Sequence, residues 1–365
     1  MKQIQVCLVS PLPPPYGGIA HWTSMVMAYA RSRADTEITL INTAPSWRSQ
    51  HSNGILLRSV GGGIQLLRDA WRLIKTLRGR RFDVIHLPTS GHLAAVRDVV
   101  ISYVAAWFGV PLVLHIRFGR IPDIAAAESW EWRLLRVAMR RAASVVAIDG
   151  ATFGAAQRHV PEAKLCLIPN CVNLSGLPTP KSEASAVKTA LFVGWVVATK
   201  GVEELCEAWS KIRPEGWRLQ IVGSVDAAYK AHLLAQFPLD SIEFVGLLPH
   251  PETMERMANC DLFVLPSYTE GFPNAVVEAM ALARPIVATR VGAIPEMLQG
   301  EAGMLIDCRS VEQLSDALQR VVGDPDLQQQ LGQRAQERAK ANYAIDVVFD
   351  AYVLRWNQVS KMLNR

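Results

Sequence analysis

The sequence predicts an α/β protein made of two doubly wound parallel-sheet domains, and three observations lead there. Its 365 residues exceed one ordinary hydrophobic core, so two domains of roughly 170 residues are the natural division. Half of the residues are hydrophobic and 19% are charged, a composition that excludes a disordered chain. Short apolar runs alternate twice over with longer helical patterns, which is the signature of parallel strands joined by helices.

The first series of strands reads QVCLVS (5–10), EITLINT (37–43), FDVIHLP (82–88), PLVLHIR (111–117), SVVAID (144–149) and KLCLIPN (164–170). Residues 174–189, LSGLPTPKSEASAVKT, are rich in Ser, Pro and small side chains and read as an interdomain linker. A second series follows with ALFVGW (190–195), WRLQIVGS (217–224), SIEFVGLL (241–248), DLFVLPS (261–267), PIVAT (285–289) and AGMLID (302–307). From about Ser310 the pattern is almost entirely helical. The expected domains are 1–173 and 190–344, with the final helix 345–365 rejoining the first. Open α/β sheets bind ligands outside the carboxyl ends of their strands, so two of them predict an active site in the cleft between the domains.

Composition narrows the setting. Six cysteines show no C-x-x-C pair and fall mostly in apolar runs, as expected of reduced, buried thiols in a reducing compartment; zinc and disulfides are not expected. The N-terminal MKQIQVCLVSPLPPP lacks the apolar length of a secretory signal, so a cytoplasmic location is expected. The most hydrophobic stretch, residues 99–116, is interrupted by Gly109 and Pro111 and reads as a helix followed by a buried strand, not a membrane span. Residues 1–172 hold 20 Lys and Arg against 10 Asp and Glu, whereas the remainder holds 18 against 23. The basic first half favours an anionic partner, either an acidic membrane surface or a phosphate-bearing substrate; nucleic acid is not expected.

The segment richest in chemistry is PSYTEGFPNAVVEAMALARPIVATRVGAIPE (266–296). A strand ends in a turn at 269–271, Pro273 stands where proline suits a helix start, and NAVVEAMALA continues with helical periodicity. Glu270 and Glu278 are therefore expected near one helix N-terminus. Backbone N–H groups there can receive phosphate or sugar oxygens, and a carboxylate can accept two hydrogen bonds from a ribose diol. The alternative for each is a solvated carboxylate favoured by the helix dipole.

Taken in order, PPPYGGIA (13–20), DVIHLP (83–88), PLVLHIRFG (111–119), IPNCVN (168–173), LFVGWVVATKG (191–201), LQIVG (219–223), the E-x7-E segment and VGAIPE (291–296) resemble family 4 of the retaining glycosyltransferases. The resemblance spans nearly the whole chain and implies the GT-B fold, two Rossmann-like domains facing across a cleft. It implies that Glu278 holds the nucleotide ribose. Glu270 would stand by the donor sugar, and the backbone of Gly271, Phe272, Asn274 and Ala275 would contact sugar hydroxyls or phosphate. Lys200, six residues after Gly194 and at the start of a helix, would bind the diphosphate without a metal ion. Gly17 and Gly18 would let the backbone approach a phosphate or an acceptor hydroxyl. The plainer readings, a surface lysine and a glycine turn, remain open on the residues alone.

Two departures from the family pattern stand out. Trp195 follows Gly194 where an arginine is frequent, and Arg117 occupies the place of a histidine near the donor sugar, with His115 two residues earlier. Strand alternation points His115 and Arg117 to the same side, so either could reach the site, and Arg117 is expected to face the donor and partly replace the missing cation. Its alternative is an ion pair with an acid such as Asp123. Ala283 and Ala293 also replace frequent glycines, changes that look conservative. The only D-x-D string, Asp324-Pro325-Asp326, reads as a helix cap and start, so no metal and no cofactor are expected.

Segments 64–81 and 130–142 are basic and amphipathic, with Trp71, Trp130 and Trp132 among apolar neighbours. They read either as core-facing helices with a solvated basic side or as an anionic-membrane surface. The combined expectation is a metal-independent, hexosyltransferase-like enzyme that moves a sugar from a nucleoside diphosphate sugar to a hydroxyl of an acceptor glycan or glycolipid. Cell-surface polysaccharide assembly is its expected setting. A GT-B sugar-nucleotide epimerase and a non-catalytic sugar-nucleotide or lipid-binding protein are the alternatives. Acceptor contacts are expected on loops such as 44–63.

Overall fold

The computed structural model describes residues 3–14, 17–44, 55–180, 186–237 and 240–362, with side chains of the helix that begins at Ile55 described from residue 62 onward. Residues 15–16 of the PPPYGGIA stretch, 45–54 of the expected acceptor loop, 181–185 of the expected linker and 363–365 of the tail lie outside the described residues. The chain divides into two units, Met1–Asn170 with Ile345–Arg365, and Cys171–Ala344.

Unit 1 runs β1 (Ile4–Ser10), α1 (Gly18–Ala30), β2 (Thr36–Asn42), α2 (Ile55–Gly79), β3 (Val84–Thr89), α3 (Ala94–Trp107), β4 (Leu112–Ile116), α4 (Ile121–Ala126), α5 (Trp130–Arg141), β5 (Ser144–Ala147), α6 (Gly150–Gln157) and β6 (Leu165–Leu167). All strands are parallel in the order β2-β1-β3-β4-β5-β6. The central strands β3 and β4 are buried throughout, which explains why VIHLPT and LVLHI are continuous apolar runs and not alternating ones. Right-handed crossovers put α1 on one face of the sheet and α2, α3 and α5 on the other.

The last helix, α14 (Ile345–Met362), packs on the α1 face. It buries Phe349, Tyr352 and Trp356, and Arg355 bonds the Ser144 hydroxyl at 2.6 Å and the Ala163 carbonyl at 2.9 Å. The chain therefore returns to unit 1 to complete its core.

Unit 2 runs β7 (Lys188–Val193), α7 (Val202–Ile212), β8 (Trp217–Val222), α8 (Ala227–Gln236), β9 (Ile242–Gly246), α9 (His250–Ala258), β10 (Leu262–Leu265), α10 (Asn274–Ala281), β11 (Ile286–Thr289), α11 (Ile294–Met297), β12 (Met304–Ile306), α12 (Val311–Gly323) and α13 (Pro325–Asn342). Its parallel order is β12-β11-β10-β7-β8-β9. Strand β7 starts at Lys188, inside the stretch read from sequence as linker, because its first residues pair with Trp217 and Arg218 of β8. The Asp324 carboxylate accepts the Leu327 N–H at 2.9 Å and Pro325 opens α13, so this acid caps a helix. All six cysteines are free; four are buried, whereas Cys166 and Cys308 are partly open to solvent.

One reading needs correction. Ala283 is not a neutral replacement for glycine, because its φ is 56°, in the left-handed region. It ends α10 in a Schellman turn, its own N–H donating to the Met280 carbonyl at 3.0 Å and that of Arg284 to Ala279 at 2.9 Å. Ala293 has the ordinary φ of −79° and carries no such strain. Ala283→Gly is expected to raise the unfolding free energy of unit 2 by about 1 kcal/mol in urea titrations, since glycine adopts this conformation without a Cβ clash; a loss of stability would refute that account.

Candidate functional site

The order of unit 2 reverses between β7 and β10: β8 and β9 extend from one side of the pair, β11 and β12 from the other. Helices α7 and α10 thus cover opposite faces, and both begin at the carboxyl ends of these two neighbouring strands. The β7 exit and the β10 exit touch through a glycine. Gly201 has φ 65°, and a Cβ there would stand 2.1 Å from the Pro266 carbonyl oxygen. The Tyr268 N–H donates to the Thr199 carbonyl at 2.9 Å and ties the same two segments.

That contact brings Lys200 Nζ to 2.6 Å from Glu270 Oε1, with both side chains largely shielded from water. The other side of Glu270 is fixed by the turn after β11. Gly292 has φ 53° and its Cα faces the Glu270 and Gly271 carbonyl oxygens so closely that a Cβ would lie within 2.5 Å of both, while the Ala293 N–H donates to Gly271 at 2.8 Å. Helix α10 then starts at Asn274 with Pro273 as N-cap, a residue whose side chain makes no capping bond. A lysine, a carboxylate and a helix start are therefore assembled at one strand-order reversal, a combination suited to an anion that carries hydroxyl groups.

Glu278 lies elsewhere than expected. It belongs to the second turn of α10, whose first turn contains no acid, and Glu270 precedes the helix by four residues. Glu278 is therefore past the first turn, where the helix dipole no longer favours it. Glu278 is 9% exposed and accepts a hydrogen bond from His250 Nε2 at 2.9 Å. This bond holds the imidazole's pKa above its ordinary value. Sequence reasoning missed His250; the signal was LPHPE directly after a strand, a histidine opening a helix between two prolines.

Gly194 stands one residue beyond β7 with its N–H bound to the Val222 carbonyl at 3.0 Å, and Trp195 beside it is 71% exposed. The Phe272 ring is buried against Tyr343 at 5.4 Å, so only its backbone faces the turn, as with Gly271; Ala275 follows Asn274 in the first turn of α10.

In unit 1, Gly17 is the N-cap of α1 and Gly18 its first residue, at the carboxyl end of β1 where that sheet's order also reverses. Among the described residues a Cβ on Gly17 would meet nothing within 4 Å.

His115 is fully buried and is not presented to a ligand, contrary to the expectation that it reaches a site. Trp356 Nε1–H donates to His86 Nδ1 at 3.0 Å, and His86 Nε2 meets His115 Nδ1 at 3.1 Å. Indole only donates, so His86 carries its proton on Nε2 and His115 on its own Nε2. The 3.4 Å approach of Arg117 Nη1 to His115 Nε2 is then a meeting of two donors. Arg117 is held by the Asn170 side-chain oxygen at 2.6 Å and lies 4.4 Å over the Trp22 ring. The pair does point the same way, but inward, toward the aromatic core of unit 1. Burial first, then the Arg117 charge, lowers both imidazole pKa values, His86 to about 3.

Comparison with known proteins agrees with this architecture. Sucrose-phosphate synthase from Thermosynechococcus elongatus superposes with a TM-score of 0.78 at 20% identity over 99% of each chain. The HepE protein of Anabaena, solved in complex with UDP-glucose, superposes with a TM-score of 0.71 at 18% identity over 99% of each. The fold class is therefore GT-B. The family described as "Glycosyltransferase Family 4" matches residues 16–175 and that described as "Glycosyl transferases group 1" matches residues 187–324. The chain belongs to these glycosyltransferases. Among curated relatives, the capsular polysaccharide biosynthesis glycosyltransferase CapM of Staphylococcus aureus is 25% identical over 47% of this chain and 45% of its own. The chain spans less than half the length of the first curated relatives it matches.

The buried histidines give a pH dependence. Their folded pKa values lie below the unfolded value of about 6.5, so the stability of unit 1 is full above that pH and falls as pH drops through it. Between pH 7.5 and 5.5 each histidine is expected to remove about 1 kcal/mol, measured by urea unfolding. A stability that rises on acidification over this window would contradict their neutral burial.

Proposed function

We propose that the protein is a retaining, metal-independent, hexosyltransferase-like enzyme that transfers a sugar from a nucleoside diphosphate sugar to an acceptor hydroxyl. It does so in the cytoplasm, during assembly of a cell-surface polysaccharide or glycolipid. The observation that carries this reading is the Lys200–Glu270 pair at the β7/β10 reversal, beside the start of α10. The UDP-glucose complex of HepE and the capsular role in CapM's name support it.

The chemistry follows from the groups present. Lys200 has three N–H donors and gives only one to Glu270, so the others serve the leaving diphosphate. The α10 start adds backbone donors to sugar or phosphate oxygens. Glu278, held by His250, accepts from the ribose diol, and Glu270 accepts a hydroxyl of the transferred sugar while fixing the lysine. Gly17 and Gly18 leave room for a phosphate or the acceptor at α1. Arg117 has the role of support in unit 1, and the cation at the donor is Lys200. Retention follows if the departing phosphate takes the acceptor proton on the same face, which requires no protein base beyond positioning and charge stabilisation.

Trp195 in place of a frequent arginine, and the burial of His115, favour one second reading: a protein that binds a sugar nucleotide without turnover. Incubation with labelled nucleotide sugars separates the two. Lys200→Ala and Glu278→Ala are each expected to weaken the donor at least about tenfold, equivalent to about 1.4 kcal/mol, in calorimetric titrations. Donor affinity unchanged in both variants would remove the site assignment. Binding by the unaltered protein without transfer to any acceptor would select the second reading.

A further inference from the structure

Helices α2, α3 and α5 lie side by side over one face of the unit 1 sheet, and each carries an apolar stripe on the side turned away from it. On α2, Ile64, Leu67 and Trp71 are exposed at i, i+3, i+7 spacing, and the line continues into Lys75 and Arg78. Leu73 on the opposite side is fully buried. Leu93 at the N-cap of α3 and Val96, Tyr103 and Trp107 within it are exposed at i, i+3, i+10 and i+14, again one helical face, with Trp71 60% and Trp107 72% exposed. On α5, Trp130 and Val137 are exposed, with Arg133, Arg140 and Arg141 around them, whereas Trp132 faces the core. A surface helix of a globular unit needs one apolar side; these three have two.

Charge identifies what covers the second side. The acids of these helices are Asp69, Asp98 and Glu131, and all three are buried, Asp98 against Arg97 and Glu131 against Arg120. Among the described residues the outward face of the three helices is therefore apolar or basic, without an exposed carboxylate. Arg141 lies 3.7 Å over the Tyr103 ring and joins the stripes of α5 and α3, and Lys75 lies 5.4 Å over Trp71. A second copy of the chain would set this basic face against itself, which like charges disfavour.

We propose that the α2–α3–α5 face docks unit 1 on an anionic lipid bilayer. Trp71, Trp107 and Trp130 enter the headgroup region, and Lys75, Arg78, Arg133 and Arg140 meet lipid phosphates. The contact is peripheral: among the described residues no helix is long and apolar enough to cross a membrane. This surface shares no residue with the donor site.

Vesicle flotation of the full chain tests the proposal, with phosphatidylcholine alone and with phosphatidylcholine containing phosphatidylglycerol. The chain is expected to float with the anionic vesicles at low salt, less at high salt, and weakly with phosphatidylcholine alone. Replacing Trp71 and Trp107 together by Ala, at exposed positions that leave the thermal midpoint unchanged, lowers partitioning at least about tenfold. Lys75→Glu with Arg140→Glu removes the salt-sensitive part. Equal flotation with and without phosphatidylglycerol would overturn the proposal, as would unchanged partitioning of the tryptophan variant. So would a dimer in light scattering that the tryptophan change dissolves while vesicles are ignored. Donor-induced thermal shifts on the same samples report the donor site separately.

Discussion

In unit 2 the chain leaves β7 and β10 toward opposite faces of the sheet, and the residues that bear on a ligand depend on the opening this creates at the strand ends. Gly201 lies against the Pro266 carbonyl there, and the same closeness sets Lys200 on Glu270. A largely buried ion pair is a weak source of stability, since desolvation offsets much of its attraction. Its value here is positional. The lysine keeps two donors and the carboxylate keeps acceptor capacity, both held at the mouth of the reversal before any ligand arrives. The His250–Glu278 contact extends the arrangement one helical turn further along α10.

Unit 1 works from a different interior. The line from Trp356 through His86 to His115 couples the returning helix α14 to the two central strands, and each imidazole is neutral because burial and the Arg117 charge both oppose a second proton. Arg117 is anchored from two sides, by Asn170 and by the Trp22 ring, so its guanidinium is an element of this support. The outward helices add a face whose acids are all turned inward. That asymmetry, more than the excess of basic residues, gives unit 1 a directed surface.

Much of the fold was legible because strands buried on both faces leave continuous apolar runs such as VIHLPT and LVLHI. Their ends were less so: KLCLIPN shrinks to Leu165–Leu167, where pairing with β5 stops. The glycines and Lys200 could be found from spacing, whereas the partners of the carboxylates could not. His250 and Glu278 are 28 residues apart and meet only because α9 and α10 are neighbours on one face. A histidine inside an apolar strand reads equally as core or as ligand, and His115 proved to be core. The left-handed Ala283 and the inward ring of Phe272 are set by a turn and by Tyr343, which residue type alone does not reveal. The same holds for the 99–116 run: apolar content was plain, but only the packing shows that α3 turns Tyr103 and Trp107 to solvent.

The central claim is that the two strand exits at the reversal of unit 2 form one ligand site. Hydrogen–deuterium exchange, with and without the nucleoside diphosphate sugar that gives the largest thermal shift, tests it most directly. The account predicts joint slowing of exchange in residues 194–204 and 268–281, the β7 and β10 exits. Slowing confined to other strand ends, with both of these segments unchanged, would contradict it.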